Sequence, residues 1–379
     1  MRFTPVLTPV NLIFCYIRKE NNMDVKAFLK RKNIEISAKR YGIDALGAMA
    51  QGLFCSLLIG TIIKTLGQQL SIQMLVDIGT YAAAVAGPAM AVAIGYALKA
   101  DPMVLFSLAA VGWAANIEGG AGGPLAVLVI AIIAAECGKL VSKETKVDIL
   151  VTPGVTILVG VALAKLIAPP IGAAANAFGN FIMLTTELQP LFMGVAVSVL
   201  MGIALTLPIS SAAICASLGL VGLAGGAAVA GCCAQMVGFA VMSFKENRWG
   251  GLVSQGLGTS MLQMPNIVRN PRIWIPPILA SAITGPIATC IFKLQMNGAP
   301  VNSGMGTCGL CGQLGVWTGW LNPSEKALEM GAAAITPTAF DWLGMILICF
   351  VLPAVLSYVF CEVLRKMGWI KEGDLTLPQ

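Results

Sequence analysis

Histidine is missing from all 379 residues of the chain. It is the usual acid–base group near neutral pH and the commonest metal ligand in proteins, zinc and haem iron included. Its absence therefore excludes histidine-based catalysis, a phosphohistidine on this chain and most zinc or haem sites. Neither a metal site nor a cofactor is predicted.

Charged residues are scarce as well, at 11% of the chain against roughly 25% in soluble domains. Hydrophobic residues reach 57%, and the mean hydropathy is +0.83. This apolar excess over the whole length is typical of an all-α polytopic protein in a lipid bilayer. The net charge of +6 lies in short loops and near the termini. Basic residues at these places are typical of loops that set membrane topology. The positive charge therefore does not indicate nucleic-acid binding, and nucleic acid is not a predicted partner.

Apolar runs of about 20 residues predict membrane-spanning helices. About ten such spans are predicted, at 43–63, 73–98, 103–118, 122–138, 148–168, 189–207, 209–224, 226–244, 273–293 and 339–362. The more polar segment 171–188 is predicted to lie on the membrane surface. Lysine-rich and arginine-rich loops place both termini in the cytoplasm. This topology requires 103–138 to give one net crossing, or a re-entrant segment plus a crossing.

The chain ends are predicted to be cytoplasmic segments, 1–42 and 365–379, flanking a transmembrane domain over 43–364. Residues 1–22 make a poor signal peptide, because they hold one short apolar patch and no small-residue cleavage site. Met23 is therefore a candidate natural start, with a simple N-terminal tail as the alternative.

Gly-Pro pairs interrupt several apolar runs, which predicts broken or re-entrant helices lining a cavity. Two of these runs, 82–98 and 280–294, each carry a central Gly-Pro and lead to an asparagine-led glycine loop. An inverted repeat is one interpretation of this likeness. A shared glycine bias is the other.

The first candidate site is NIEGGAGGPLAVLV, residues 116–129. An ionisable group between two apolar runs is a functional hypothesis by default, and Glu118 is such a group. A carboxylate, an amide and free backbone N–H groups suit a sugar or another polyhydroxylated ligand, and the carboxylate can accept a hydroxyl proton. A simple turn at the membrane boundary is the alternative. The predicted catalytic residue is Glu118, and the predicted binding residues are Asn116, Gly119, Gly120, Gly122 and Gly123.

The second candidate site is the polar, proline-containing segment 254–277. Its hydroxyl and amide side chains are predicted to contact substrate or to gate its entry, and they are Thr259, Ser260, Gln263 and Asn266. An ordinary cytoplasmic loop, with Arg269 and Arg272 fixing the topology, is the alternative.

The third candidate site is GMGTCGLCGQLG, residues 304–315. Its C-x-x-C lacks further ligands for zinc and lacks the βαβ context of a redox pair. Glycines at every third residue favour an irregular backbone over a helix-packing stripe, because three residues turn an α-helix by about 300°. A glycine loop lining a cavity is therefore predicted, with Asn302, Gly304, Gly306, Thr307 and Gln313 as substrate contacts.

Four stretches together resemble the second EIIC-type family of the bacterial phosphotransferase system, which includes PfoR-like regulators. They are GTSMLQMPNIVRNPRIWIPP, ASAITGPIATCIFK, GMGTCGLCGQLG and NIEGGAGGPLAV. The resemblance implies that 43–364 is a sugar-permease domain in the bacterial inner membrane and that the protein is a homodimer. It also implies a phosphorylated EIIB protein as partner, which phosphorylates the sugar while this chain holds it. The chain would then be the permease component of a protein-Nπ-phosphohistidine–sugar phosphotransferase, with no phosphorylated residue of its own.

Two other functions remain open at this point. The PfoR-like members of the family imply a membrane-bound regulator or sensor without transport. A secondary transporter coupled to a cation through Asp77 or Glu118 is the second alternative. Asp77 lies near the start of its span, where an ordinary helix-end residue is also expected.

Overall fold

The computed structural model of the protein describes residues 25–377, and every regular element within that range is a helix. The predicted all-α fold is confirmed for this part of the chain. The candidate start at Met23 lies outside the described residues.

The helical stretches, some of which contain π turns, are numbered α1 to α16 along the chain. They are α1 Val25–Arg31, α2 Arg40–Gln69, α3 Gln73–Ala84, α4 Ala86–Ala97, α5 Pro102–Gly119, α6 Gly123–Val141, α7 Asp148–Thr186, α8 Pro190–Thr206, α9 Ser211–Leu218, α10 Gly222–Met242, α11 Phe244–Val253, α12 Met264–Arg269, α13 Pro271–Ile291, α14 Cys311–Leu321, α15 Glu325–Glu329 and α16 Ala339–Lys366. Short 3₁₀ and π turns over 254–263 and 300–310 connect them.

Six continuous stretches are long and apolar enough to cross a membrane, or seven if α3 and α4, bent by 47°, count as one. One of the six, Pro102–Val141, holds both α5 and α6, and α8 is a shorter apolar helix. The described residues thus contain nine membrane-type segments, one fewer than predicted. The protein is a multi-pass helical membrane protein.

Helices α5 and α6 form a hairpin that folds back at Gly120, where φ is +49°. Gly138 near the end of α6 packs against Val104 near the start of α5. Beyond them, Lys143 Nζ lies 2.6 Å from Asp101 Oδ1. The hairpin therefore starts and ends at the same end of the molecule. The predicted single net crossing of 103–138 is wrong, because the glycine turn reverses the chain.

Helix α7 runs for 39 residues, about 58 Å, through Pro169 and Pro170. Residues up to Thr186 continue the same helix, so 171–188 is not a separate segment, and its position relative to the membrane stays a prediction. Neighbouring helices satisfy the backbone groups that proline frees in membrane helices. Only 22% of the most apolar 18-residue stretch of α7 is buried, so this helix lies at the periphery of the bundle.

Helix α10 lies at the centre of the bundle, because 89% of its most apolar 18-residue stretch is buried. It packs against α8, α13 and α16. Small residues permit this close packing. Gly231 of α10 lies directly against the Ser198 carbonyl of α8, where even a methyl group has no room. Gly226 lies in the same way against the Leu294 carbonyl.

The predicted span 209–224 is wrong, since α9 contains only eight residues. Pro208 lies in the turn after α8, and Ser210 caps α9 by accepting a hydrogen bond from the Ala213 amide. Gly219 ends α9 in the left-handed conformation, with φ of +61°. These are standard helix start and stop signals.

Charged side chains gather at one end of the molecule, here called the basic end. Arg31 pairs there with Glu144, and Arg365 pairs with Glu246. Helix α12 contacts the first turn of α2 at the same end. The positive-inside tendency predicts that this end faces the cytoplasm.

The two Gly-Pro pairs of the suspected repeat have different surroundings. Gly87 follows the bend before α4 and packs against Gly112 of α5, whereas Gly285 packs against Gly194 of α8. The inverted repeat stays a prediction.

Candidate functional site

A cavity of about 70 Å³ lies where the three candidate segments meet. The first segment contributes Pro124, the second Thr259, and the third Met305 and Cys308. Leucines of α2 and residues 209–212 at the start of α9 complete the wall. Of the residues predicted to contact substrate, Thr259 is the one that lines this cavity in the described part of the chain.

Two of the residues that line the cavity, Ser210 and Thr259, carry hydroxyl groups that remain available as hydrogen-bond donors. Ser210 Oγ accepts from the Ala213 amide at 3.2 Å, and Thr259 Oγ1 accepts from the Met261 amide at 3.1 Å. Within residues 25–377, neither hydroxyl donates to a protein acceptor. A hydroxyl both accepts and donates, so each O–H can bond to a ligand oxygen while the backbone holds its oxygen in place.

The third segment is joined to the cavity wall by its backbone. Ser211 Oγ donates to the Gly304 carbonyl at 2.7 Å, and Thr307 Oγ1 donates to the Gly256 carbonyl. Gly306 has φ of +54°, and its carbonyl accepts from the Gly312 amide at 2.9 Å. The glycine loop is thus bound both to itself and to the second segment.

A cluster of buried polar side chains lies next to Thr259 in the structure. Ser260 shares a 2.8 Å hydrogen bond with Thr206, and Trp274 Nε1 donates to Gln235 Oε1 at 2.9 Å. Thr206 Oγ1 also lies 3.3 Å from Gln235 Oε1. The Gln235 amide nitrogen is buried without a partner in the described residues. Such an orphan donor is costly, and it is expected to find an acceptor when water or a ligand is present.

The first segment forms the hairpin apex instead of a ligand loop in this structure. Asn116 packs against Gly123, and Gly122 lies against the Ile171 carbonyl of α7. Gly119 contacts the same stretch of α7. Gly120 makes the turn and faces open space. The apex reaches the cavity through Pro124 and through the Ala121 carbonyl, which accepts from the Ser210 amide at 2.8 Å.

Glu118 lies on the outer side of this apex, outside the cavity wall. Its Oε1 lies 2.5 Å from Lys165 Nζ of α7. The two side chains are 29% and 65% exposed, respectively.

The amides of the second segment hold the C-terminal residues. Gln263 Nε2 donates to the Leu375 carbonyl at 3.0 Å and to Gln255 Oε1 at 2.8 Å. Asn266 Nδ2 donates to the Thr376 carbonyl at 2.8 Å. The segment predicted as a cytoplasmic tail is therefore attached to the second segment up to Leu377 in the described residues.

The remaining polar residues of the third segment lie away from the cavity. Asn302 packs against Gly315, and Gln313 Nε2 lies 3.2 Å from Cys233 Sγ. Cys308 lines the cavity, whereas Cys311 Sγ lies 3.3 Å from Thr65 Oγ1 of α2. Both thiols are free.

Sequence reasoning missed the contributions of α8, α9 and α10. The signal was present, because Ser210 and Ser211 follow Pro208 and because Gln235 and Thr206 lie in otherwise apolar runs. Polar residues at membrane depth are expensive and usually functional.

This arrangement is a mainly apolar cavity with a few hydroxyl-bearing residues in its wall, inside a helical membrane bundle. The family model for the phosphotransferase system, EIIC, matches residues 43–377, and the chain therefore belongs to that family. The resemblance seen in the sequence is confirmed, and the protein is a permease component of a phosphotransferase system. No curated protein and no solved structure matches the chain.

Proposed function

We propose that this protein is the sugar-binding and translocating EIIC subunit of a phosphoenolpyruvate-dependent system, acting with separate EIIB and EIIA proteins. The observation that carries the proposal is the cavity with the Ser210 and Thr259 hydroxyls as free donors. Sugar oxygens accept such hydrogen bonds, and apolar side chains around them suit the C–H faces of a sugar ring.

The cavity is much smaller than the roughly 300–1,000 Å³ of typical ligand pockets. The structure therefore corresponds to a closed state in this proposal. The walls come from α2 and the hairpin on one side, and from α8, α9 and the second segment on the other. Relative movement of these two sides would open the cavity, as alternating access around a fixed site requires.

The sugar would be phosphorylated by EIIB while it is held here, so no residue of this chain carries a phosphoryl group. The proposal keeps Glu118 as the candidate acceptor of the proton from the attacking hydroxyl. In the closed state it is paired with Lys165, so this role requires the hairpin apex to approach the sugar in another state.

We also propose that the protein is a homodimer in the inner membrane, with the basic end and both termini in the cytoplasm. Charged groups at membrane depth rarely face lipid. The Glu118–Lys165 pair is partly exposed on the surface of α5 and α7, and a second copy would cover it.

The test uses membrane vesicles that contain the full chain, a panel of labelled sugars, and the EIIB and EIIA proteins with their phosphoryl donor. We expect one sugar class to appear inside as its phosphate, and only when EIIB is present. Uptake of unmodified sugar that depends on an ion gradient would instead identify a secondary transporter. Binding with no uptake would identify a sensor.

A further inference from the structure

A second pocket, of about 300 Å³, lies at the basic end, far along the hairpin from its apex. It is formed by the C-terminal end of α1, the turn between α4 and α5, and the loop between α6 and α7. Its charged lining residues are Arg31, Lys32, Lys99, Asp101, Lys139, Lys143 and Glu144. We call it the basic pocket.

The basic pocket carries an excess of positive charge. Arg31 and Lys32 share one carboxylate, Glu144, at 2.7 and 2.5 Å. Lys143 pairs with Asp101 at 2.6 Å. Lys99 is exposed, and it has no ion pair within residues 25–377.

Lys139 does not add to that excess, because Glu136 Oε2 lies 2.8 Å from its Nζ. The other four cations of the lining are opposed by two carboxylates. Within the lining, these cations therefore exceed the carboxylates by two. Asp148, just outside the lining, accepts a hydrogen bond from the Lys143 amide at 2.8 Å. Phosphate groups carry one or two negative charges and bind lysine and arginine by charge-assisted hydrogen bonds.

Exposed apolar side chains continue from the pocket along the helices. Tyr96 precedes Lys99 by one turn and is 77% exposed, and Phe106 follows Asp101 by little more than one turn and is 75% exposed. Leu150 at the start of α7 is 73% exposed. Exposed apolar side chains at these positions suit a lipid-facing surface, along which acyl chains can lie while a headgroup enters the pocket.

We propose that the basic pocket binds an anionic phosphate group, and that the group belongs to the headgroup of an anionic phospholipid. The charge complementarity identifies the phosphate. The exposed apolar side chains beside the pocket favour a lipid over a soluble phosphate ester as its source.

Lys99 is the residue on which to test this, because its replacement breaks no ion pair. Lys293 is a matched control, since it is also exposed, also follows a helix and also has positive φ, of +47° against +54° for Lys99. It lies beyond the end of α13, away from the basic pocket.

The experiment measures binding of phosphatidylglycerol and phosphatidylcholine to the purified full chain by native mass spectrometry, with inorganic phosphate and a sugar phosphate as competitors. We expect preferential binding of phosphatidylglycerol. Lys99→Gln should weaken it about fivefold and Lys99→Glu should weaken it further, because one basic residue near a charged headgroup contributes about that factor. Lys293→Gln should leave it unchanged.

Equal binding of the two lipids, or an equal effect of Lys99→Gln and Lys293→Gln, would overturn the proposal. If inorganic phosphate or the sugar phosphate binds in a Lys99-dependent way and phosphatidylglycerol does not, the source is soluble and the lipid assignment is wrong. Thermal unfolding of each variant without added lipid checks that Lys99→Gln and Lys99→Glu remain folded.

Discussion

Glu118 Oε1 and Lys165 Nζ lie 2.5 Å apart and connect the hairpin apex to α7 on the outer surface of the bundle. The contact gives the one carboxylate of the first candidate segment a partner on the side away from the cavity. It separates two roles for Glu118 that the sequence could not distinguish, a structural ion pair and a proton acceptor.

Glu118→Gln should lower the melting temperature of the purified protein, because it leaves Lys165 without its counter-charge. Sugar affinity should stay within about twofold in this state, since the side chain does not line the cavity. The double variant Glu118→Gln, Lys165→Gln should recover part of the lost stability. Loss of sugar binding without a change in melting temperature would instead place Glu118 in the sugar site.

Gly306 should not tolerate a side chain. Its φ is +54°, and an added Cβ would lie 2.8–3.0 Å from atoms of Cys232 and Cys233 in α10. Gly306→Ala should therefore reduce the yield of folded protein. It should also lower the melting temperature, measured by thermal unfolding of the protein in detergent. Gly154→Ala is the matched control, because that glycine lies in helix α7 with open space around it. Equal behaviour of the two variants would contradict the packing described for the glycine loop.

Gln263 holds the C-terminal residues on the second segment. Gln263→Leu would leave the buried Gln255 Oε1 without its donor, at a cost of about 1–3 kcal/mol. The Leu375 carbonyl and the Asn266 amide would keep one partner each, Asn247 and Thr376. We expect a lower melting temperature and faster proteolysis near Trp369. Gln68→Leu, at an exposed position of α2, is the control that should show neither effect.

The Asp101 carboxylate should make stability depend on pH. Hydrogen bonding from Lys143, aided by Ser142, holds the pKa of Asp101 below its usual value of 3.8 although burial acts in the opposite direction. A depressed folded-state pKa contributes stability that is present above the unfolded value and is lost as the pH falls through the folded value. The melting temperature of the wild type should therefore fall more steeply than that of Asp101→Asn below about pH 4. Parallel curves for the two proteins would rule out this contribution.

Much of the fold could be predicted from the sequence, because long apolar runs indicate membrane-spanning helices. Where short signals compete with that length, the prediction fails. Pro208 and Ser210 end one helix and start another inside an apolar run, so apolar length alone wrongly predicts a span over 209–224. The predicted span 148–168 ends where α7 continues through Pro169 and Pro170 to Thr186, since packing in a membrane bundle overrides proline's usual effect.

For the site, composition predicts which stretches are unusual but not which way their side chains face. The three candidate segments do meet at one cavity. Gln263 and Asn266, however, point to the C-terminal residues, and Glu118 points to Lys165. These directions depend on long-range contacts that a single sequence does not encode in its spacing.

The central claim, that sugar binds between the Ser210 and Thr259 hydroxyls, is tested most directly by isothermal titration of the transported sugar into purified variants. Thr259→Val removes one donor at nearly constant volume, and Ser210→Ala removes the other. Each should weaken binding by about tenfold, as for the loss of one hydrogen bond of roughly 1.5 kcal/mol. Ser217→Ala, on the exposed side of α9, should bind as the wild type does. Wild-type affinity in both Thr259→Val and Ser210→Ala would contradict the claim.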